Sequence, residues 1–190
     1  MVRGCRIGQL KCAAALLLLS QSLGATVVPR LTFEQLTDAA DLIVSGKVTG
    51  SWSAWDSEHK YIWTHYRITV TSAVKGAATP TLEFTEPGGY LAGRSMTIAG
   101  SVSYRVGESV LIFLSRLPNG YLRTTGWAQG KYGLDANEKL HATTLIGPEV
   151  VEAGTPPAGS SLTRLNDMSL GELKVRVAAR LAAATPRSAR

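Results

Sequence analysis

Between Tyr61 and Val74 the chain alternates. Ile62, Thr64, Tyr66, Ile68, Val70 and Val74 fall on one side of an extended backbone, and Tyr61, Trp63, His65, Arg67, Thr69 and Thr71 on the other. Successive side chains leave a pleated strand on opposite faces, so this period predicts an antiparallel strand with one buried face. A helix would scatter the same residues around its circumference. The run therefore sets the fold class as mainly β.

The neighbouring segments agree. Leu42 to Val48 reads as a strand, and Thr81 to Glu86 as another with Leu82 and Phe84 inward. Pro87-Gly88-Gly89 is a turn. Further strands are expected at 95–101, 108–116 and 121–127, with shorter ones near 131–134 and 139–145. Val110, Ile112 and Leu114 alternate with Leu111 and Phe113, so the strand at 108–116 is apolar on both faces. Short strands separated by Gly-rich turns indicate a small barrel or sandwich, and closure into a barrel removes exposed edges. The expected architecture is a small closed β-barrel with a short N-terminal and a C-terminal helix.

Both helices announce their starts. Thr32-Phe33-Glu34-Gln35 and Ser169-Leu170-Gly171-Glu172 are capping boxes, in which the hydroxyl and the residue three positions on satisfy each other's backbone N–H. The first predicts a helix over 33–40. The second opens a helix over 169–184, where Leu170, Leu173, Val177 and Leu181 recur at helical spacing beside Lys174, Arg176 and Arg180. Its narrow, Ala-rich stripe fits packing on the barrel. A second reading is weak contact with an anionic membrane surface through residues 169–184. All 13 aromatic residues lie between Phe33 and Tyr132, which centres the packed body there.

Arg3, Arg6 and Lys11 precede the apolar run Ala13 to Leu19, and Leu23-Gly24-Ala25 follows. Basic start, short apolar core and small-residue site predict a signal peptide over 1–25, cut after Ala25. The domains expected are thus the signal peptide at 1–25, the barrel at 26–153, a flexible linker at 154–168 and the helix at 169–184. Cleavage would remove Cys5 and Cys12 and leave a cysteine-free mature chain, secreted or periplasmic, without a transmembrane segment. The formal charge of +6 would fall to +3, with the excess in the last 35 residues, where 6 basic groups face 2 acidic ones. The body is close to neutral, which argues against a nucleic-acid partner.

Several segments resemble a known pattern. Ala40-Asp41-Leu42-Ile43-Val44-Ser45-Gly46-Lys47-Val48 leads through a long strand to Val74-Lys75-Gly76. Later come Tyr104-Arg105-Val106-Gly107-Glu108-Ser109-Val110-Leu111-Ile112-Phe113-Leu114 and Gly120-Tyr121-Leu122. Over residues 38–127 this resembles the OB-fold of netrin-like modules, including the tissue inhibitors of metalloproteinases. Pro87-Gly88-Gly89, Gly107-Glu108 and Gln129-Gly130-Lys131-Tyr132 also resemble a family of uncharacterised secreted bacterial proteins. The resemblance implies an OB-like barrel and, by fold alone, a protein partner such as a protease. Those inhibitors reach the enzyme's zinc through an N-terminal cysteine, which a chain starting at Thr26 lacks, so no inhibitory residue is carried over.

Catalytic patterns are missing from the sequence. His59, His65 and His141 have no close ligand spacing, so no metal is expected, and no cofactor motif stands out. Ser57-Glu58-His59-Lys60 fits Ser-x-x-Lys but sits in a polar loop, where that chemistry needs a helix start. Glu83 and Glu86 are an odd number of residues apart and point to opposite faces of their strand.

The cluster that stands out is aromatic: Trp52, Trp55, Tyr61 and Trp63, with His65 and Arg67. Trp63, His65 and Arg67 share the face opposite the core, a candidate stacking surface. These six residues are the candidate binding site. The leading functional expectation is a non-catalytic binding module for a protein partner. The alternatives are an extracytoplasmic hydrolase using Asp56, Glu58 or His65, and an envelope-associated structural protein.

Overall fold

In the computed structural model, residues 30–143 and 165–184 are described. The signal segment 1–25 with its cut at Ala25, and linker residues 154–164, lie outside them. The chain is mainly β with a helix near each end. Helix α1 (Phe33–Ala39) precedes β1 (Leu42–Trp55), β2 (Ile62–Lys75), β3 (Thr81–Pro87), β4 (Gly89–Leu91) and β5 (Arg94–Met96). Then come β6 (Ser109–Arg116), β7 (Leu122–Thr124), a 3-10 turn at Trp127–Gly130, β8 (Lys131–Leu134), β9 (Leu140–Ala142) and α2 (Leu170–Ala184).

Both capping boxes form. Gln35 N donates to Thr32 Oγ1 (3.2 Å), and Thr32 N donates to Gln35 Oε1 (2.9 Å). At α2, Glu172 N donates to Ser169 Oγ (3.2 Å) and Ser169 N to Glu172 Oε2 (2.8 Å). Helix α1 has 7 residues, too few to stand alone, and tertiary contacts hold its far end. Lys75 Nζ donates to the carbonyls of Thr37 (2.7 Å) and Ala40 (2.5 Å), where the helix carbonyls have no partners of their own.

Strand β1 is longer than expected, running to Trp55 instead of Val48. A bulge at Thr49, which β2 skips between the Val48–Ile68 and Gly50–Arg67 pairs, lets it continue. The bulge also exchanges its faces: Val44 and Val48 point into the core, whereas Trp52 points out beside His65. Two further irregularities lie in β2: one at Thr71 exchanges its faces, and one at Val74 exchanges them again before Lys75. Val74, expected on the core face with Ile68, packs instead with Ile43 on the other side. The predicted strand at 95–101 shrinks to Arg94–Met96, followed by an irregular segment through Ser103.

The sheet runs β3-β2-β1-β6-β8-β9, with β7 also pairing to β6. The expected closed barrel is not found, because no backbone ladder joins β3 to β7 among the described residues. Side chains bridge that seam. Thr85 Oγ1 donates to Leu122 O (3.4 Å), and Thr124 N donates to Glu86 Oε1 (2.9 Å). Groups that would meet across a ladder are thus taken by a hydroxyl and a carboxylate.

The sheet buries both faces. Inside its curve, Val44, Val48, Tyr66, Ile68, Phe84 and Tyr104 close on Val110, Ile112 and Leu114. On the other side, Leu111 and Phe113 meet Phe33 and Leu36 of α1 and Leu173 and Val177 of α2. Strand β6 lies between the two cores, as its unbroken apolar run requires. Arg180 Nε donates to Asp38 Oδ1 (2.8 Å) and ties α2 to α1. Leu165 and Met168, at the end of the expected linker, pack into the same cluster, and Leu140 N donates to Met168 O (2.9 Å).

Candidate binding face

The part of the β1–β2 ladder beyond the Thr49 bulge positions the aromatic residues. Trp52 faces His65 across the ladder, Ala54 faces Trp63, and Gly50 faces Arg67, all on one surface. Facing residues of an antiparallel pair share a face, so Trp52, Trp63, His65 and Arg67 form one patch. Trp52 and His65 are stacked, with ring centroids 5.3 Å apart and planes 8° from parallel. The Arg67 guanidinium lies 5.3 Å from the Trp52 ring centroid. Trp52 is still 39% exposed, and Trp63 and His65 are half-buried.

Two residues that the sequence did not assign to the cluster complete the patch. Tyr121, in the turn between β6 and β7, sets its ring edge-on to His65 at 5.9 Å and is 53% exposed. Glu83 of β3, directly across from Arg67, accepts from its Nε (3.0 Å) and Nη2 (2.7 Å). A register placing Glu83 opposite Arg67 is the signal that finds the carboxylate. Tyr121 reaches the patch through tertiary folding alone.

Trp55 does not belong to the patch. It pairs with Ile62, whose side chain is buried, and therefore leaves the ladder on the other face. There it stacks on His59 (6.4 Å) and lies under Arg94 (5.9 Å). The expected six-residue cluster is thus divided by strand parity. Tyr61 begins beyond the tip loop and is 51% exposed, with its N–H on Asp56 Oδ1 (3.2 Å).

The patch is aromatic and close to charge-neutral. Burial lowers the His65 pKa, against a smaller upward effect of the Glu83 charge, so the ring is neutral at pH 7. Glu83 neutralises Arg67. Neutral rings and a paired guanidinium suit stacking and hydrogen bonding, with little long-range field.

Elsewhere, two clefts of about 550 and 590 Å³ flank residues 100–103. Glu86 lines the first at 1% exposure, and the Lys131–Glu108 ion pair (2.8 Å) lines the second. Glu83 and Glu86 lie on opposite faces, as their spacing predicts. Asp56 Oδ1 accepts from Lys60 N (2.7 Å), and Glu58 pairs with Lys60 (3.6 Å). Among the described residues, no hydrogen bond or ring contact joins either carboxylate to His65, and no cluster of metal-ligating side chains forms.

No protein-family model matches this chain, and no curated protein matches it.

Proposed function

We propose that this chain is a non-catalytic, extracytoplasmic binding module that holds a protein partner on the outer face of β1 and β2. The observation that carries the reading is the exposed Trp52, held flat on His65 and beside Arg67. A partly exposed aromatic ring held by stacking and flanked by polar neighbours has the chemistry of an interface anchor. Tyr121 and Trp63 extend the apolar area around it.

An OB-like, netrin-like fold is part of the proposal. It is supported by the β1–β2–β3 meander, by the return of β6 to β1, and by β7 lying beside β3 across a side-chain seam. OB barrels are partly open and bind ligands over a strand face and its loops. A protease is one partner class, on fold resemblance alone.

The hydrolase alternative would need Asp56, Glu58 or His65, each already engaged in a local contact that gives it no shared site. The envelope alternative would draw on α2, whose apolar residues Leu170, Leu173 and Val177 are buried against the sheet. Among the described residues, no helix is long and apolar enough to cross a membrane.

The deciding experiment compares the wild-type protein with Trp52→Ala and Tyr121→Ala as bait against native secreted proteins. A partner captured by the wild type and lost by both variants, with their melting curves unchanged, is the expected result. Identical capture by all three would remove the outer face from the function.

A further inference from the structure

Among the described residues, one edge of the β1–β2 hairpin has no backbone partner. β6 accompanies β1 from Leu42 to Lys47. The loop before β6 adds two more bonds, Val48 N to Glu108 O (2.9 Å) and Gly107 N to Val48 O (2.8 Å). From Thr49 to Trp55, β1 pairs with β2 alone among the described residues. A row of unpaired N–H and C=O groups is a template for another strand, and natural edges are guarded by lysine, proline or a bulge within them. Thr49-Gly50-Ser51-Trp52-Ser53-Ala54-Trp55 has no charge and no proline, and its single bulge lies at its start.

We propose that this edge pairs with the same edge of a second copy of the chain, antiparallel about Ser53, so that two sheets become one. The order of side-chain sizes selects this occupant. About a twofold axis at Ser53, Trp52 lies opposite Ala54 of the second copy on the outer face. Trp55 lies opposite Ser51 of the second copy on the inner face. Each large ring therefore meets a small side chain, and the smallest polar side chain meets itself. Such a self-complementary patch is what a twofold interface requires.

The space fits as well. The ladder would run from Gly50 to Asp56, between the Gly107–Glu108 loop at one end and the hairpin tip at the other. No titratable side chain lies within Thr49–Trp55, and the nearest guanidinium on the outer face, Arg67, is neutralised by Glu83. The axis at Ser53 therefore carries no charge of its own, and the charged groups at the contact, Arg94 over Trp55 and Asp56, lie toward the ends of the ladder. A ladder this short falls at the small end of specific interfaces, so the dimer forms reversibly with concentration. It would also place the two Trp52–His65 stacks on one continuous face.

Sedimentation velocity on the full chain tests this. The expected result is a reversible shift with concentration from the mass of one chain to twice that mass. Ser53→Lys sets two ammonium groups at the axis and abolishes the shift, with circular dichroism and the melting curve checking that it folds. Independently, Ser53→Cys in a chain carrying Cys5→Ser and Cys12→Ser forms a covalent dimer on mild oxidation, since facing Cα atoms at about 4.5–5.5 Å suit a disulfide. Ser57→Cys in the same background, beyond the ladder, does not. A chain monomeric at every concentration, a dimer indifferent to a folded Ser53→Lys, or equal cross-linking at positions 53 and 57 overturns the proposal.

Discussion

Trp52 stacks on His65 across the β1–β2 ladder, its ring centroid 5.3 Å from the imidazole's and the two planes 8° from parallel. The indole shields the imidazole from water, and burial is the main cause of the lowered His65 pKa. Trp52→Ala therefore raises the His65 pKa toward its ordinary 6.5. A histidine NMR titration reads this directly, and an unmoved pKa would show that the indole is not the shield. The neutral ring is the form that folding favours. Its contribution is thus present above pH 6.5 and is lost as the pH falls through the lowered value.

Glu86 imposes the opposite pH dependence. Burial raises its pKa from the ordinary 4.5 to about 7, although hydrogen bonds from Thr124 and the Arg123 charge pull it down. The folded chain keeps a proton that the unfolded chain releases near pH 4.5. The stabilising contribution of this group is complete below pH 4.5 and falls as the pH rises toward 7, by about 3 kcal/mol. Glu86→Gln removes this contribution, giving a flatter profile and a higher Tm at pH 8 than the wild type. Melting curves from pH 4 to pH 8 compare the two, and parallel profiles would contradict the assignment.

Lys75 joins two elements distant in sequence. Its ammonium donates to the carbonyls of Thr37 and Ala40 at the end of α1, at 2.7 and 2.5 Å. Lys75→Met keeps the aliphatic stem but loses these charge-assisted bonds, at a cost of about 1–3 kcal/mol. Urea unfolding measures the loss. Faster amide exchange in α1 than in β6 would locate it, whereas a uniform change would not.

Gly46 admits no side chain. A Cβ there would lie 2.2 Å from the Thr69 carbonyl oxygen, on the partner strand of its own sheet. Gly46→Ala forces β1 and β2 apart and lowers stability by about 1–3 kcal/mol. Gly107→Ala is instructive beside it: nothing lies within 4 Å of that Cβ, and only the φ of 95° opposes it. Chemical denaturation of both separates crowding from backbone strain.

The strands were legible wherever alternation was unbroken. Ile62 to Val70 kept the face that its period assigned, and β6 was buried on both sides as its apolar run implied. The capping boxes marked both helix starts to within one residue, because they are local hydrogen-bond patterns. Val74 changed sides because a bulge at Thr71 inserts one residue, and one residue inverts a period of two. The same arithmetic at Thr49 turned Trp52 outward and left Trp55 on the opposite face. Sequence proximity had grouped these two tryptophans, and parity separated them.

What the sequence determined by itself is therefore local: a mainly β chain, two capped helices, the inward face of β2, and the placing of Glu83 and Glu86 on opposite sides. These follow from side-chain spacing against a fixed backbone period. Tertiary structure alone decided how β3 meets β7, which residues join Trp52 and His65, and that the far half of β1 pairs with β2 alone among the described residues. Each depends on register between strands far apart in the chain. A single bulge shifts that register, and no local pattern encodes it.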